Sequence, residues 1–195
     1  MHYRKSNRLN GYDYSQAGLY FITICTRDRK CFLGKIIYGT MILNAVGNIA
    51  FNYLMEIPKH YPGVKIDEYI IMPNHLHFIL NLGRRRDITC DVPAICGTPY
   101  HHRRDTTCRF PTTCRVPTDI RTNQFSKPIS GSVSVIIQQY KSSVKRWANK
   151  NNRKYFQWQS RFYDHIIRND QSFRIICNYI INNPAKWMDD DFFIK

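Results

Sequence analysis

The chain has 195 residues and a mass of 23.2 kDa, enough for one well-buried domain with a long insertion but too little for two ordinary domains. Its 29 lysines and arginines exceed its 14 aspartates and glutamates, and a formal charge of +15 favours an anionic partner, nucleic acid first. The sequence has neither an apolar run of transmembrane length nor a basic helix with a broad apolar face, so we expect no membrane association.

The N-terminus is polar and lacks the apolar core of a signal peptide. We therefore expect a cytoplasmic, nucleoid-associated protein whose seven cysteines are thiols. Cys25 and Cys177 lie in apolar stretches and are interpreted as small core residues.

The part of the chain before residue 84 predicts strands and one helix. Runs of β-branched and aromatic residues indicate the strands, and apolar residues at helical spacing indicate the helix. In chain order we predict a buried strand, a shorter strand or hairpin, the helix, and two strands joined by a tight Pro73-Asn74 turn, at residues 20–26, 36–43, 44–60, 64–72 and 76–82.

Two histidines begin the last of these strands. Side chains two residues apart on a strand point to one face, so His75 and His77 are able to reach a single divalent ion while Leu76 faces the core. A pair of hydrogen-bonded histidines is the commoner meaning of this spacing. A metal held by only two histidines keeps open coordination positions, which suits a metal that handles a substrate.

Residues 84–128 have a different character, with four of the seven cysteines, many prolines and a short Thr-Cys-x-x-Pro repeat. A zinc knuckle is one interpretation, built from Cys90, Cys96, His101, His102, Cys108 and Cys114. The spacings lack close Cys-x-x-Cys pairs, so we favour a flexible insertion. Residues 1–83 and 129–195 are then the two parts of one domain.

A second long helix is predicted from Ser132, a suitable N-cap, with an apolar stripe on one side. Its other side and the segment that follows carry basic residues interleaved with aromatic ones. Such a surface is usually just solvated, but it also suits phosphates and stacked bases. The basic candidates on the helix are Lys141, Lys145 and Arg146.

The last predicted helix begins with Asp170 or Ser172 as its N-cap, runs to Asn182 and is stopped by Pro184. Tyr179 and Asn183 are four residues apart and so share one side of it. A phenol and an amide oxygen can therefore meet a metal held by the two histidines.

This combination of groups supports one reaction. A divalent cation favours the phenolate of a tyrosine and polarises a phosphodiester. Tyr179 would attack the scissile phosphorus, form a phosphotyrosine and release a 3′-hydroxyl. Because the covalent bond conserves the energy of the broken linkage, rejoining to another strand needs no nucleotide cofactor.

Three motifs in this order carry a family resemblance: Met-Pro-Asn-His-Leu-His-Phe at 72–78, Phe-Gln-Trp-Gln-Ser-Arg-Phe-Tyr-Asp-His-Ile-Ile-Arg-Asn at 156–169, and Tyr-Ile-Ile-Asn-Asn-Pro-Ala-Lys-Trp at 179–187. The chain resembles the REP-associated tyrosine transposases, which are single-tyrosine transposases of the His-hydrophobic-His class. The resemblance covers nearly everything outside 84–128, and the insertion departs from the compact family pattern.

The resemblance implies an α+β fold, a ferredoxin-like antiparallel sheet flanked by helices. It also implies a Mg²⁺ or Mn²⁺ site and cleavage of single-stranded DNA beside a hairpin, by a monomer or a homodimer. By motif position His75 and His77 match the metal ligands, Tyr179 the nucleophile and Asn183 the polar residue one helical turn beyond it.

Alternatives remain open at this point. Tyr163 is a rival nucleophile, although the residue four positions after it is Ile167 and not an amide. DNA contacts are expected at Arg161 and Arg168, and at His165, for which a structural hydrogen bond is an equal interpretation. A non-catalytic hairpin-binding relative and an RNA-binding module are the competing functions.

Overall fold

The computed structural model describes residues 12–83 and 129–193. Its strands are β1 (Gly18–Cys25), β2 (Gly34–Ile37), β3 (Thr40–Leu43), β4 (Val64–Ile71), β5 (His75–Leu82) and β6 (Tyr163–Ile167). Its α-helices are α1 (Ala45–His60), α2 (Val133–Lys150) and α3 (Asp170–Asn182), with short 3₁₀ turns at Arg27–Arg29 and Pro184–Asp189. The expected insertion at 84–128 lies outside the described residues.

The main sheet has four antiparallel strands in the order β4-β5-β1-β6, and β2 and β3 form a separate hairpin. Without the hairpin, the chain order is β1-α1-β4-β5-α2-β6, the alternation of a ferredoxin-like fold. The expected α+β, ferredoxin-like sheet flanked by helices is therefore confirmed. Strand β5, with the two histidines, occupies a central position in this sheet.

Each face of this sheet buries a different core, because side chains alternate along the strands. One face packs against α1 and α2 and includes Tyr20, Ile22, Leu76 and Phe78. On the other face, apolar residues of β1, β5 and β6 pack against α3 in a smaller cluster centred on Ile79, Ile167 and Ile180. The smaller cluster leaves room on the α3 face for polar side chains.

The helix starts agree with the predictions at two positions and differ at a third. Asn44 caps α1 by accepting hydrogen bonds from the backbone N–H groups of Val46 and Gly47. Helix α2 starts after Ser132, as predicted, but the Ser132 side chain makes no capping hydrogen bond.

The predicted cap of α3, Asp170 or Ser172, is wrong by at least one residue. Asn169 leaves β6 in an extended conformation, so its side chain is placed to accept from the N–H of Ser172 at 2.8 Å. Asp170 is instead the first helical residue.

Strand β6 was not predicted from the residue pattern. It pairs with β1 over Leu19–Thr23 and forms the edge of the sheet. Within the described ranges, no helix has both the length and the apolar character needed to cross a membrane.

Candidate metal and nucleophile site

The histidines of β5 point to the α3 face of the sheet, and Leu76 between them points to the larger core. His75 is 0% exposed and His77 is 1% exposed, and their ring centroids are 4.5 Å apart. Burial lowers the pKa of His75 to about 3, with a smaller effect from Arg29, and lowers the pKa of His77 well below its usual value. Both rings are therefore neutral at pH 7, the form that binds metals.

Hydrogen bonds orient the His75 ring. The Asn74 amide nitrogen donates to the backbone carbonyls of Arg29 and Phe192, at 2.9 and 2.7 Å, so the amide oxygen faces Nδ1 of His75 at 2.8 Å. Because that oxygen only accepts, Nδ1 carries the proton and Nε2 keeps its lone pair. This buried Nε2 has no hydrogen-bond partner among the described residues.

His77 is held in the same way by a neighbouring strand. Its Nδ1 lies 2.8 Å from the hydroxyl of Thr23, the residue directly opposite it on β1. Its Nε2 lies within hydrogen-bonding distance of the Tyr179 hydroxyl, at 3.3 Å. Both Nε2 atoms thus face one space beside α3. Asn74 sets the tautomer of His75, and Thr23 holds the ring of His77 in place.

A carboxylate completes the cluster. Ligand atoms of His75, His77 and Asp190 all lie within 4.8 Å of one another. Asp190 was not a sequence candidate, because it belongs to the segment after α3 and reaches the site only through tertiary packing. The one available signal was the acidic run 189–191 in a strongly basic chain.

Asn183, the predicted amide ligand, reaches the same cluster. It is 3% exposed, and its amide nitrogen donates to Asp190 Oδ2 at 3.0 Å. Its Oδ1 is buried and has no partner in the described part of the chain. A buried oxygen without a donor is costly unless a cation or another donor meets it.

Tyr179 lies at the rim of this cluster and is 43% exposed. Burial and the nearby Asp190 raise the pKa of its hydroxyl, and a hydrogen bond with Asn183 opposes them. The phenol is therefore protonated in this arrangement. The rival Tyr163 lies on the same sheet face but is separated from His77 by the intervening Thr23.

The end of the described chain closes the site. The Phe192 ring lies 4.6 Å from the His75 ring and Trp187 lies 6.0 Å from it. Arg29 holds this segment by donating to the Asp191 carbonyl at 2.8 Å, with its guanidinium 5.2 Å from the Phe192 ring centre. Both histidines are consequently shielded from solvent.

The basic candidates fall into two groups. The Lys141 amine donates to the backbone carbonyls of Gln159, Ser160 and Arg161, and the Lys145 amine to those of Lys154 and Phe156. Burial lowers the pKa of Lys141 to about 8. The other predicted DNA contacts are exposed: Arg146, Arg161, His165 and Arg168.

We expect Lys141 to act by holding the 159–161 segment. Replacing Lys141 with alanine leaves three carbonyls without their donor, so backbone amides around this segment should exchange hydrogen faster in the absence of DNA. Lys150→Ala, which removes the same charge from an exposed position of α2, is the control and should leave this exchange unchanged. If the amides around 159–161 exchange at the same rate in Lys141→Ala as in Lys150→Ala, Lys141 does not hold this segment, and a phosphate contact would be its remaining predicted role.

Known proteins resemble this chain in sequence and in fold. No family model matches it. An uncharacterized protein of Haemophilus influenzae is 35% identical over 195 residues, covering 100% of this chain and 95% of the relative. A second protein of that organism, named "Putative REP-associated tyrosine transposase", is 27% identical over 178 residues, covering 89% and 74%.

A solved structure of a REP-associated tyrosine transposase bound to a REP hairpin has the same fold. The TM-score is 0.53 at 18% identity, and the match covers 96% of this chain and 74% of the other. The fold agrees with what the three ordered motifs imply, and the named relative carries the same family name. In sequence the chain is similar to one protein that carries this family name, and it shares its fold with a solved structure that carries it too.

Proposed function

We propose that this protein cleaves single-stranded DNA next to a hairpin and transfers the cut strand, with Tyr179 as the nucleophile. The observation that carries the proposal is the Tyr179 hydroxyl, 3.3 Å from Nε2 of His77 and beside the His75, His77 and Asp190 cluster. The chain's positive charge and its transposase relatives, one of them bound to a hairpin, support a DNA substrate.

The donor set suits a divalent cation. The unpartnered Nε2 of His75 and Oδ1 of Asn183 are both buried, and the Asp190 carboxylate supplies a negative charge next to them. His75, His77 and Asp190 would hold the ion, with Asn183 orienting Asp190 and offering Oδ1 as a further ligand. The carboxylate and amide oxygens suit Mn²⁺ or Mg²⁺, the ions that the family resemblance implies, while the two imidazoles are typical ligands of transition metals. When bound, the ion would favour the phenolate of Tyr179 and polarise the scissile phosphodiester.

The Tyr179 hydroxyl would lose its proton and its oxygen would bond to the scissile phosphorus as the bond to the 3′ oxygen breaks, and the departing 3′ oxygen would take up a proton. This leaves a 5′-phosphotyrosine on the protein and a free 3′-hydroxyl on the DNA. Attack by the 3′-hydroxyl of another strand reverses the step and restores Tyr179. Tyr179 is half-exposed, so DNA can approach its ring from solvent.

Access to the histidines requires a local movement. Phe192 covers His75, and the contacts of Arg29 hold the chain there, so a phosphate reaches the cluster only when residues 191–193 shift. Asp190 is able to stay, because its hydrogen bond to Asn183 ties it to the end of α3. The same closure is the observation that favours the second candidate, a hairpin-binding protein that does not cut.

Incubation with Mn²⁺ and single-stranded hairpin DNA tests the proposal. We expect a protein–DNA adduct that survives denaturation, with the DNA phosphate on the Tyr179 peptide by mass spectrometry. Binding without any adduct, at every Mn²⁺ concentration, would support the non-catalytic candidate. Binding itself should weaken steeply with salt in either case.

The role of Asn74 can be measured separately. Because Asn74 fixes the His75 ring, Asn74→Ala should weaken Mn²⁺ binding by about 10- to 100-fold. Adduct formation should then fall at low Mn²⁺ and recover at high Mn²⁺. Asn81→Ala, on the strand that carries His75 but bonded to Asp67, is the matched control. An Mn²⁺ affinity equal to that of the control would contradict the positioning role.

A further inference from the structure

Tyr163 lies on an open part of the sheet face that carries the two histidines. Thr23 of β1 is directly opposite His77 on one side and directly opposite Tyr163 on the other. Side chains at paired positions share a face, so the three form one row across the sheet. Two strand spacings place the Tyr163 backbone roughly 9.5 Å from that of His77.

Tyr163 is not buried as the core tyrosines are. It is 46% exposed on the edge strand, whereas Tyr20 and Tyr140 are 0% and 3% exposed. The other exposed aromatic group beside His77 is Tyr179 itself, at 43%. Two accessible phenol rings therefore flank the His77 and Thr23 positions. Of the two, Tyr179 is the one that contacts the cluster of His75, His77 and Asp190.

The charge around Tyr163 suits a polyanion. His165, two residues along β6, shares its face and is exposed, while Asp164 points to the opposite face beside Ile22. Arg161 and Arg168 lie on either side of β6 and are exposed as well. An exposed aromatic ring on a strand with basic residues before and after it suits single-stranded nucleic acid, which stacks its bases on aromatic rings and contacts cations with its phosphates.

We infer that Tyr163 is a stacking platform for an unpaired base of the DNA strand that enters the Tyr179 site. The inference rests on the proposed function. It implies that the single-stranded DNA crosses the β6 edge of the sheet on its way to Tyr179. Tyr163 then binds substrate without reacting with it. Base stacking is tolerant of sequence, so the platform takes single-stranded DNA of any composition.

Binding in EDTA tests this without any cleavage. The probes are a fluorescent oligothymidylate and an abasic oligonucleotide with the same number of phosphates. Wild type should bind the oligothymidylate more tightly, and Tyr163→Leu should lose about tenfold of that affinity while binding the abasic probe as wild type does. Tyr163→Phe keeps a ring and should behave as wild type. A probe containing iododeoxyuridine should photocrosslink to the Tyr163 peptide.

The outcomes separate the two proposals. An equal loss on both probes, or unchanged binding in Tyr163→Leu, overturns the stacking role. Loss of the Mn²⁺-dependent adduct in Tyr163→Phe overturns it too, because that variant keeps the ring and lacks only the hydroxyl. If wild type forms no adduct but Tyr163→Leu still loses its preference for bases, the cleavage proposal fails and the stacking site stands.

Discussion

Tyr179→Phe should eliminate the covalent protein–DNA adduct completely, because phenylalanine has no oxygen to bond to phosphorus. DNA affinity should stay within about twofold of wild type, since the ring and its packing against Phe21 remain. The measurement is a denaturing gel of Mn²⁺ reactions with labelled hairpin DNA, paired with an anisotropy titration of the same DNA. The substitution changes only an oxygen at a half-exposed position, so the fold should be unaffected.

Tyr163→Phe is the matched control for this experiment. It removes the same oxygen from a second exposed tyrosine of the same sheet face, and the adduct should persist. The reverse pattern, with the adduct kept in Tyr179→Phe and lost in Tyr163→Phe, would transfer the nucleophile assignment to Tyr163. If both variants still form the adduct, neither the Tyr179 nor the Tyr163 hydroxyl is by itself essential for it.

The sequence anticipated the parts of this site that depend on local geometry. The two-residue spacing of His75 and His77 places them on one face of a strand, and the four-residue spacing of Tyr179 and Asn183 places them on one side of a helix. Neither spacing depends on how distant segments pack. The resemblance of the motifs, and not residue periodicity, supplied the ferredoxin-like arrangement that brings the two elements together.

The parts that were missed are long-range contacts. Asp190 joins the cluster only because the chain turns back after α3, and no spacing rule links it to residues more than a hundred positions earlier. Thr23 is opposite His77 only through the register of β1 with β5. The charge pattern that predicts Lys141 and Lys145 as phosphate contacts does not reveal that their amines also donate to neighbouring backbone carbonyls. Their contact with DNA stays a prediction.

Strand β6 was missed for a related reason. Two of its five residues, Asp164 and His165, are polar, so it lacks a run of β-branched and apolar residues. An edge strand pairs with only one neighbour, and so it needs fewer apolar side chains than a central strand. The strand matters for function, because its register places Tyr163 in one row with Thr23 and His77 on the sheet face. The sequence motif alone gave Tyr163 no position relative to the histidines.

Removal of either histidine should abolish cleavage and leave DNA binding intact. His75→Ala and His77→Ala each delete a neutral, buried candidate ligand from the cluster with Asp190, and the remaining groups should bind a divalent ion much more weakly. The direct readout is thermal unfolding with and without Mn²⁺. A ligand present at 100 times its dissociation constant stabilises the folded state by about 2.7 kcal/mol, which raises the melting temperature of a protein this size by roughly 5 to 10 °C.

Wild type and His60→Ala, an exposed histidine at the end of α1, should both show this rise, and the two site variants should not. Asp190→Asn keeps the size of the side chain and removes its charge, so its rise should be smaller than that of wild type. His77→Ala leaves the Thr23 hydroxyl without its partner and could disturb the fold. Each variant must therefore be shown to melt cooperatively without Mn²⁺ before its Mn²⁺ shift is compared. A full Mn²⁺ shift in both histidine variants would place the metal elsewhere, and cleavage that persists in them would show that Tyr179 reacts without the cluster.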